Sequence, residues 1–335
     1  MKAALVIQKG MDKMNKVLIL DGDSIAYKCS AAGEQRSIEV LHKPSGICKS
    51  FKHRTEFKEA MKQRGKEITE DYQVVDKQEC EPLEYILSTC KRHIERIANL
   101  TNADNIVIFA GETWNFRNNL SLPKPYKGNR SGTLRPVHLQ DAKKFLRNKY
   151  KALEAVGCEV DDECCISAYE TLEAGDIPLL YRYEKDSDSF DGITLVTEGF
   201  SGVEYKIIPE LGELTFDKNK VKGDGIKFLA YQWIESDPVD NYKAHELSKV
   251  RFGPKSAYEV LKSLNSPAEV LQAVIQQFKV FYPEKFEYTD FKGDQHEADW
   301  RYMLELYFQC CRMQRRKNDP LDVNELFDKY KVHYN

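Results

Sequence analysis

Apolar positions recur in two rhythms, and the elements that they predict alternate in the order strand, helix, strand. Val17-Leu-Ile-Leu is a short continuous apolar run that ends on Asp21-Gly-Asp23 and then turns helical through Ile25 to Ala31. Pro82 sits where helices begin, and Leu83, Ile86, Leu87, Cys90, Ile94, Ile97 and Ala98 follow at helical spacing. A second strand, Asn105 to Ala110, runs into Gly111-Glu112. Later come a basic helical stretch from His138 to Val156, a helix opened by Gly157-Cys-Glu-Val-Asp-Asp162, and a β-branched strand, Ile193 to Thr197. This order, with an acid at each strand end, predicts an α/β fold: a mainly parallel, twisted sheet flanked by helices, with its chemistry at the C-terminal strand ends.

Two segments break the alternation. Glu34 to Glu79 is polar and weakly periodic, and reads as an insertion with short local helices. From Ile226 the chain is mostly helical, interrupted by Arg251-Phe-Gly-Pro-Lys-Ser256. The expected organisation is an extension over 1–13, an α/β domain over 14–222 with an insertion at about 34–79 and a basic region at about 115–156, and a helical region over 223–335.

Composition narrows the function classes. No run of about 18 apolar residues exists, and Ala3 to Ile7 is too short for a signal segment, so a cytoplasmic protein is expected. Nine cysteines, including the adjacent pairs Cys164/Cys165 and Cys310/Cys311, lack framework spacing and suit reduced thiols. Without a Cys-x-x-Cys, zinc is a minor alternative. The formal charge of -3 argues against a basic coat over the whole surface. Between Asn115 and Lys151, however, Arg117, Lys124, Lys127, Arg130, Arg135, Lys143, Lys144, Arg147, Lys149 and Lys151 face a single acid, Asp141. That stretch is either a polyanion-binding face or a solvated helix.

The acids Asp21, Asp23, Glu112, Glu159, Asp161, Asp162, Asp237 and Asp240 fall in four clusters at element ends. Carboxylates gathered by a fold repel one another unless cations neutralise them, so the set reads as hard-metal ligation, with Mg²⁺ or Mn²⁺ the natural ion. For Glu159, Asp161 and Asp162 alone, helix N-capping is the competing explanation. Tyr126, Lys127 and Arg130 offer a ring to stack on a base and two cations for phosphates, or else a loop that is basic by chance. Gly253-Pro-Lys-Ser256 fits a tight turn between helices whose amides, with Lys255, grip a duplex backbone.

Taken together these residues resemble the 5′-3′ exonuclease and flap endonuclease family, most closely its phage branch. Val17-Leu-Ile-Leu-Asp-Gly-Asp23 is similar to its first strand. Phe116-Arg117 with Tyr126-Lys-Gly-Asn-Arg130 is similar to its substrate-gripping segment. Gly157 to Asp162 resembles its Gly-x-Glu-Ala-Asp-Asp box, and Asp237-Pro-Val-Asp240-Asn241 with Phe252 to Ala257 resembles its last metal cluster and helical hairpin. The resemblance implies a PIN-like nuclease domain followed by a helix-hairpin-helix-like DNA-binding element. It makes Asp21, Glu112, Glu159, Asp161, Asp162, Asp237 and Asp240 the ligands of one or two metals, and Lys127 and Arg130 catalytic residues that steer the scissile phosphate. It makes Arg117, Tyr126, Lys143, Lys144, Arg147, Gly253 and Lys255 nucleic-acid contacts, the basic stretch part of an arch that admits a single-stranded 5′ end, and K⁺ a candidate ion at the hairpin.

Two departures from the family stand out. No Asp-x-Asp follows Ile193 to Thr197; Asp186-Ser-Asp188, after the apolar stretch Leu179 to Tyr183, is the candidate for a displaced pair. Arg251 stands where the family's hairpin places a glycine. The expected function is a divalent-metal-dependent 5′ nuclease acting on DNA or RNA:DNA hybrid ends in replication or repair. The alternatives are a catalytically weakened flap or junction binder of the same fold, and a PIN-type ribonuclease.

Overall fold

The computed structural model describes residues 14–111, 114–183, 185–200 and 202–333. Strand β1 (Lys16–Asp21) leads directly into helix α1 (Gly22–Ala32). Gly22 permits that abrupt junction, since a Cβ there would lie 2.6 Å from the Phe109 carbonyl oxygen. The insertion follows as β2 (Glu34–His42), β3 (Ile47–Phe51), α2 (Arg54–Gln63) and β4 (Tyr72–Cys80). Instead of the expected short helices, it is a three-stranded antiparallel sheet in the order β3-β2-β4 with a single helix. Ile38, Val40, Phe57 and Met61 give it a small core of its own.

Helix α3 (Leu83–Thr101) returns the chain to β5 (Asn105–Gly111), close to the bounds that periodicity predicts. Helix α4 (Leu139–Tyr150) is shorter than the expected basic helix, because Leu153–Ala155 leaves it to form strand β6 beside β5. Then come α5 (Val160–Glu173), β7 (Ile177–Tyr181), β8 (Thr194–Gly199) and β9 (Gly202–Ile207). The six-stranded sheet has the order β6-β5-β1-β7-β8-β9, parallel except for the β8/β9 pair. Both faces of β1 are covered, which explains its unbroken apolar run. Leu18 and Leu20 pack with Ile25, Ile86, Ile94 and Leu146 on one side, and Ile19 packs with Cys164, Cys165 and Ala168 on the other.

Beyond the sheet lie the hairpin β10 (Leu214–Asp217) and β11 (Lys220–Gly223), the fully buried helix α6 (Gly225–Ile234), and the short pair β12 (Ser236–Asp237) and β13 (Tyr242–Lys243). Helices α7 (Pro254–Leu261) and α8 (Pro267–Phe281), the hairpin β14 (Phe286–Thr289) and β15 (Gln295–Ala298), and helices α9 (Trp300–Cys311) and α10 (Val323–Lys329) complete the chain. Trp233, Phe278, Tyr307 and Phe327 centre this second core, and the Trp233 indole donates to the Leu304 carbonyl at 2.9 Å.

Gly253-Pro-Lys-Ser256 is not a tight turn between two helices. Residues 244–253 before it contain no helix, and Gly253 is extended, with open space where a side chain would be. Nothing local demands glycine there. All nine cysteines are free thiols, as their spacing suggests. Among the described residues no helix is long and apolar enough to cross a membrane.

Candidate metal centre

The chain builds β1, then steps outward to β5 and β6, and only afterwards returns to lay β7 and β8 on the other side of β1. The sheet's switch point is therefore at β1, where crevices open beyond the C-terminal strand ends. Asp21 ends β1, Glu159 and Asp161 start α5, and Asp186 opens the 3₁₀ turn Asp186–Ser189 beyond β7. Asp237 and Asp240 reach the same edge from the β12/β13 turn.

One oxygen from each of Asp186, Asp237 and Asp240 lies within 4.8 Å of the others. Gln232 donates to Asp186 at 2.5 Å, and the Lys185 ammonium lies 2.9 Å from Asp237. Burial, with Asp240 and Asp237 close by, raises the Asp186 pKa to about 7. Asp161 connects this group to Asp21. Burial raises its pKa well above the ordinary range, and Asp21, Asp186 and Glu159 push in the same direction. Asp21 is raised to about 6, chiefly by burial, although Ser24 donates to it from its amide at 3.0 Å and its hydroxyl at 2.5 Å. Asp21, Asp161 and Asp186, held above their ordinary pKa values, gain from a cation that neutralises them.

Cations stand beside the rim. The Lys127 ammonium lies 2.5 Å from Glu159 and 3.5 Å from Asp240. Burial opposes its charge, but Glu159, Asp240 and Asp161 outweigh burial and raise its pKa. Lys127 adopts a left-handed backbone (φ 54°), and its amide donates to the Asp240 carbonyl at 2.8 Å. Arg130, half-exposed, reaches Asp240 at 3.1 Å.

The structure gives several of the expected site residues other surroundings. Asp162 lies in a closed hydrogen-bond network. It is fully buried, and its two oxygens accept from both Arg117 nitrogens (2.6 and 3.0 Å), the Glu159 amide (2.9 Å) and the Gln314 amide (2.9 Å), which uses its capacity. Arg117 is likewise enclosed; it is wholly inaccessible and also donates to the carbonyls of Gln309 and Arg312. Tyr126 is buried in the C-terminal core, its hydroxyl 2.8 Å from Asp240 and 3.3 Å from Glu159, so its ring offers no stacking platform. Lys143 is buried too, bound to the Gly111 carbonyl and to Asp23.

The basic stretch is not a free arch over its whole length, since Leu139, Ala142 and Leu146 of α4 pack inward. Lys144 is exposed, and Arg147 is partly buried beside Glu154 at 3.5 Å. The displaced Asp-x-Asp divides: Asp186 joins Asp237 and Asp240, but Asp188 pairs with Arg182, away from the rim. Lys255 is exposed on α7. Glu112 lies outside the described residues. Sequence reasoning missed Lys185 and Gln232, and also Asn115, which donates to Glu159 at 3.0 Å. Only Lys185, next to Asp186, carried a usable clue.

No family model and no curated protein matches this chain. Solved structures do. A bacteriophage T5 protein co-crystallised with metal ions is similar over 94% of this chain and 97% of its own length, at 15% identity and a TM-score of 0.49. The T5 5′-exonuclease with bound zinc matches over 79% of this chain and 90% of its own, at 16% identity and a TM-score of 0.44. A T5 flap endonuclease complex with DNA and metal ions matches over 79% and 93%, at 14% identity and a TM-score of 0.43.

Proposed function

We propose that this protein is a divalent-metal-dependent 5′ nuclease of the 5′-3′ exonuclease and flap endonuclease kind, acting on DNA. The observation that carries the reading is the convergence of Asp186, Asp237 and Asp240 at the C-terminal sheet edge, continuous through Asp161 with Asp21. An all-oxygen donor set of this density fits Mg²⁺ or Mn²⁺. Asp186, Asp237 and Asp240 would hold one ion, and Asp21 and Asp161, with Glu159 alongside, a second.

Ions bound there supply a nucleophilic water at neutral pH and relieve charge on the phosphorus. The remaining work falls to the protein. Lys127 and Arg130 stand where they can neutralise either the carboxylates or a phosphodiester laid across them. Lys185 plays the same part beside Asp237. Asp162 and Arg117 hold the start of α5 in place, so that Glu159 and Asp161 face the rim. Exposed Lys144 and Lys255 would extend the backbone contact.

The test is incubation of a 5′-end-labelled flap with Mg²⁺ or Mn²⁺, beside Asp161→Asn. Cleavage should require the metal and vanish in the variant while binding in Ca²⁺ persists. Product length separates exonuclease from flap cutting. Wild-type protein that binds the flap but never cuts it would overturn the nuclease reading in favour of a flap-binding protein.

A further inference from the structure

A second charged cavity lies between the 3₁₀ turn after β7 and the last two helices, and it shares no residue with the carboxylate rim. Ser189, Asp191, Arg312, Arg315, Lys329 and Tyr330 supply its polar lining, over a floor of Ile226, Leu229 and Leu326. The enclosed volume is small, about 10 Å³, and the cavity opens to solvent, so its charged groups face a ligand at the mouth.

The charges do not balance. Arg315 pairs with Asp191 and lies over the Tyr169 ring, its guanidinium carbon 4.6 Å from the ring centroid. Lys329 lies 3.5 Å from the same Asp191 and 3.2 Å from Glu210, which also accepts from the Tyr330 hydroxyl at 2.7 Å. Asp191 is thus already committed to two cations. The third, Arg312, makes no side-chain hydrogen bond or ion pair among the described residues. Burial and the neighbouring Arg315 push its pKa down to about 10. Three cations against Asp191 and Glu210 leave an excess of one positive charge, and a partly buried guanidinium without a partner is a costly arrangement unless an anion completes it.

We infer that this cavity is a binding site for a phosphate dianion, either free or as a phosphomonoester, with the Arg312 guanidinium as its principal donor. A planar guanidinium offers paired N–H donors matched to phosphate oxygens, and Arg315 and Lys329 add charge from the sides. The Ser189 hydroxyl on the lining is already used, donating to the Asp186 carbonyl at 2.9 Å, so the cations carry the recognition.

The experiment uses the full chain in EDTA, which removes the metal rim from consideration, at fixed ionic strength. Thermal melting and calorimetric titration with inorganic phosphate are compared with chloride, and a nucleoside 5′-monophosphate forms the second arm. Wild type should melt higher in phosphate than in chloride. Tighter binding of the nucleotide would identify the ester as the ligand, and equal binding would identify free phosphate. R312M should melt at the wild-type temperature or above without phosphate, because an unpaired cation is gone, and should bind phosphate at least about tenfold more weakly. R312K, which keeps the charge and loses the fork, should weaken binding to a smaller degree and carries the test if R312M does not fold. No phosphate-specific shift in wild type, or an unchanged affinity in the substituted protein that folds, would overturn the assignment.

Discussion

Two groups of carboxylates occupy the start of α5 and differ in one respect, the supply of donors. Asp162 receives four hydrogen bonds and belongs to a sealed seam with Arg117, Gln309, Arg312 and Gln314. Asp161, its immediate neighbour, faces an open rim with Asp21 and Asp186, and burial and like charge raise its pKa. Residues one apart on a helix point about 100° apart, so a single step along the chain moves a carboxylate from one environment to the other. Saturation identifies the brace, and shortage identifies the place where a cation is needed.

The comparison can be broken most severely at the seam. Arg117→Met should leave Asp162 buried and unpaired and cost about 3–5 kcal/mol of folding stability in denaturant titration; a loss below 1 kcal/mol would show that the seam braces little. At the rim, Lys127→Ala should lower kcat by about 10²–10³ with a smaller effect on substrate affinity, as expected of help given to developing charge. A loss confined to affinity would make Lys127 an electrostatic contact only. Asp186→Asn should weaken Mg²⁺ binding by more than the roughly 10–100-fold typical of an outer partner, read by metal titration of cleavage.

A smaller effect distinguishes the two groups without any substrate. Asp21 and Asp186 have folded pKa values of about 6 and about 7 against an ordinary 3.8. Between about pH 4 and 7 the native state therefore binds more protons than the unfolded chain. These groups stabilise fully below that window, and their contribution is lost as pH rises through it. The metal-free Tm should fall on this account, Mg²⁺ at pH 7.5 should restore it, and Asp186→Asn should flatten the profile. A slope unchanged in Asp186→Asn would remove this aspartate from the titration. The smallest effect belongs to Asp188→Asn, which should leave cleavage near wild type because its partner is Arg182; a severe loss would return Asp188 to the rim.

What could be read in the sequence follows the range of the interactions. Strands β1 and β5 and helix α3 are local patterns, and their bounds come directly from apolar spacing. The acids at strand ends were legible for the same reason, because topology places such ends along one edge. Arg117 was not legible: its partners are Asp162 and the carbonyls of Gln309 and Arg312, far along the chain, and nothing beside it indicates burial. Tyr126, flanked by proline, lysine and glycine, reads as a surface ring until the C-terminal core closes over it. The insertion was misread because only Ile38 and Val40 of β2 are fully buried, too few to set a period of two above its charged background.

The seam also sets a schedule for biosynthesis. Asp21 leaves the ribosome early, but Arg117 obtains two of its acceptors from Gln309 and Arg312, near the end of the chain. At elongation rates of roughly 5–20 residues per second, the carboxylates wait on the order of tens of seconds for the strut that orders them. A nascent or prematurely terminated chain ending between Asp240 and Arg312 contains every rim acid and lacks part of the frame that fixes their spacing. Late completion of the frame around the rim is thus a consequence of where those two carbonyls fall in the message.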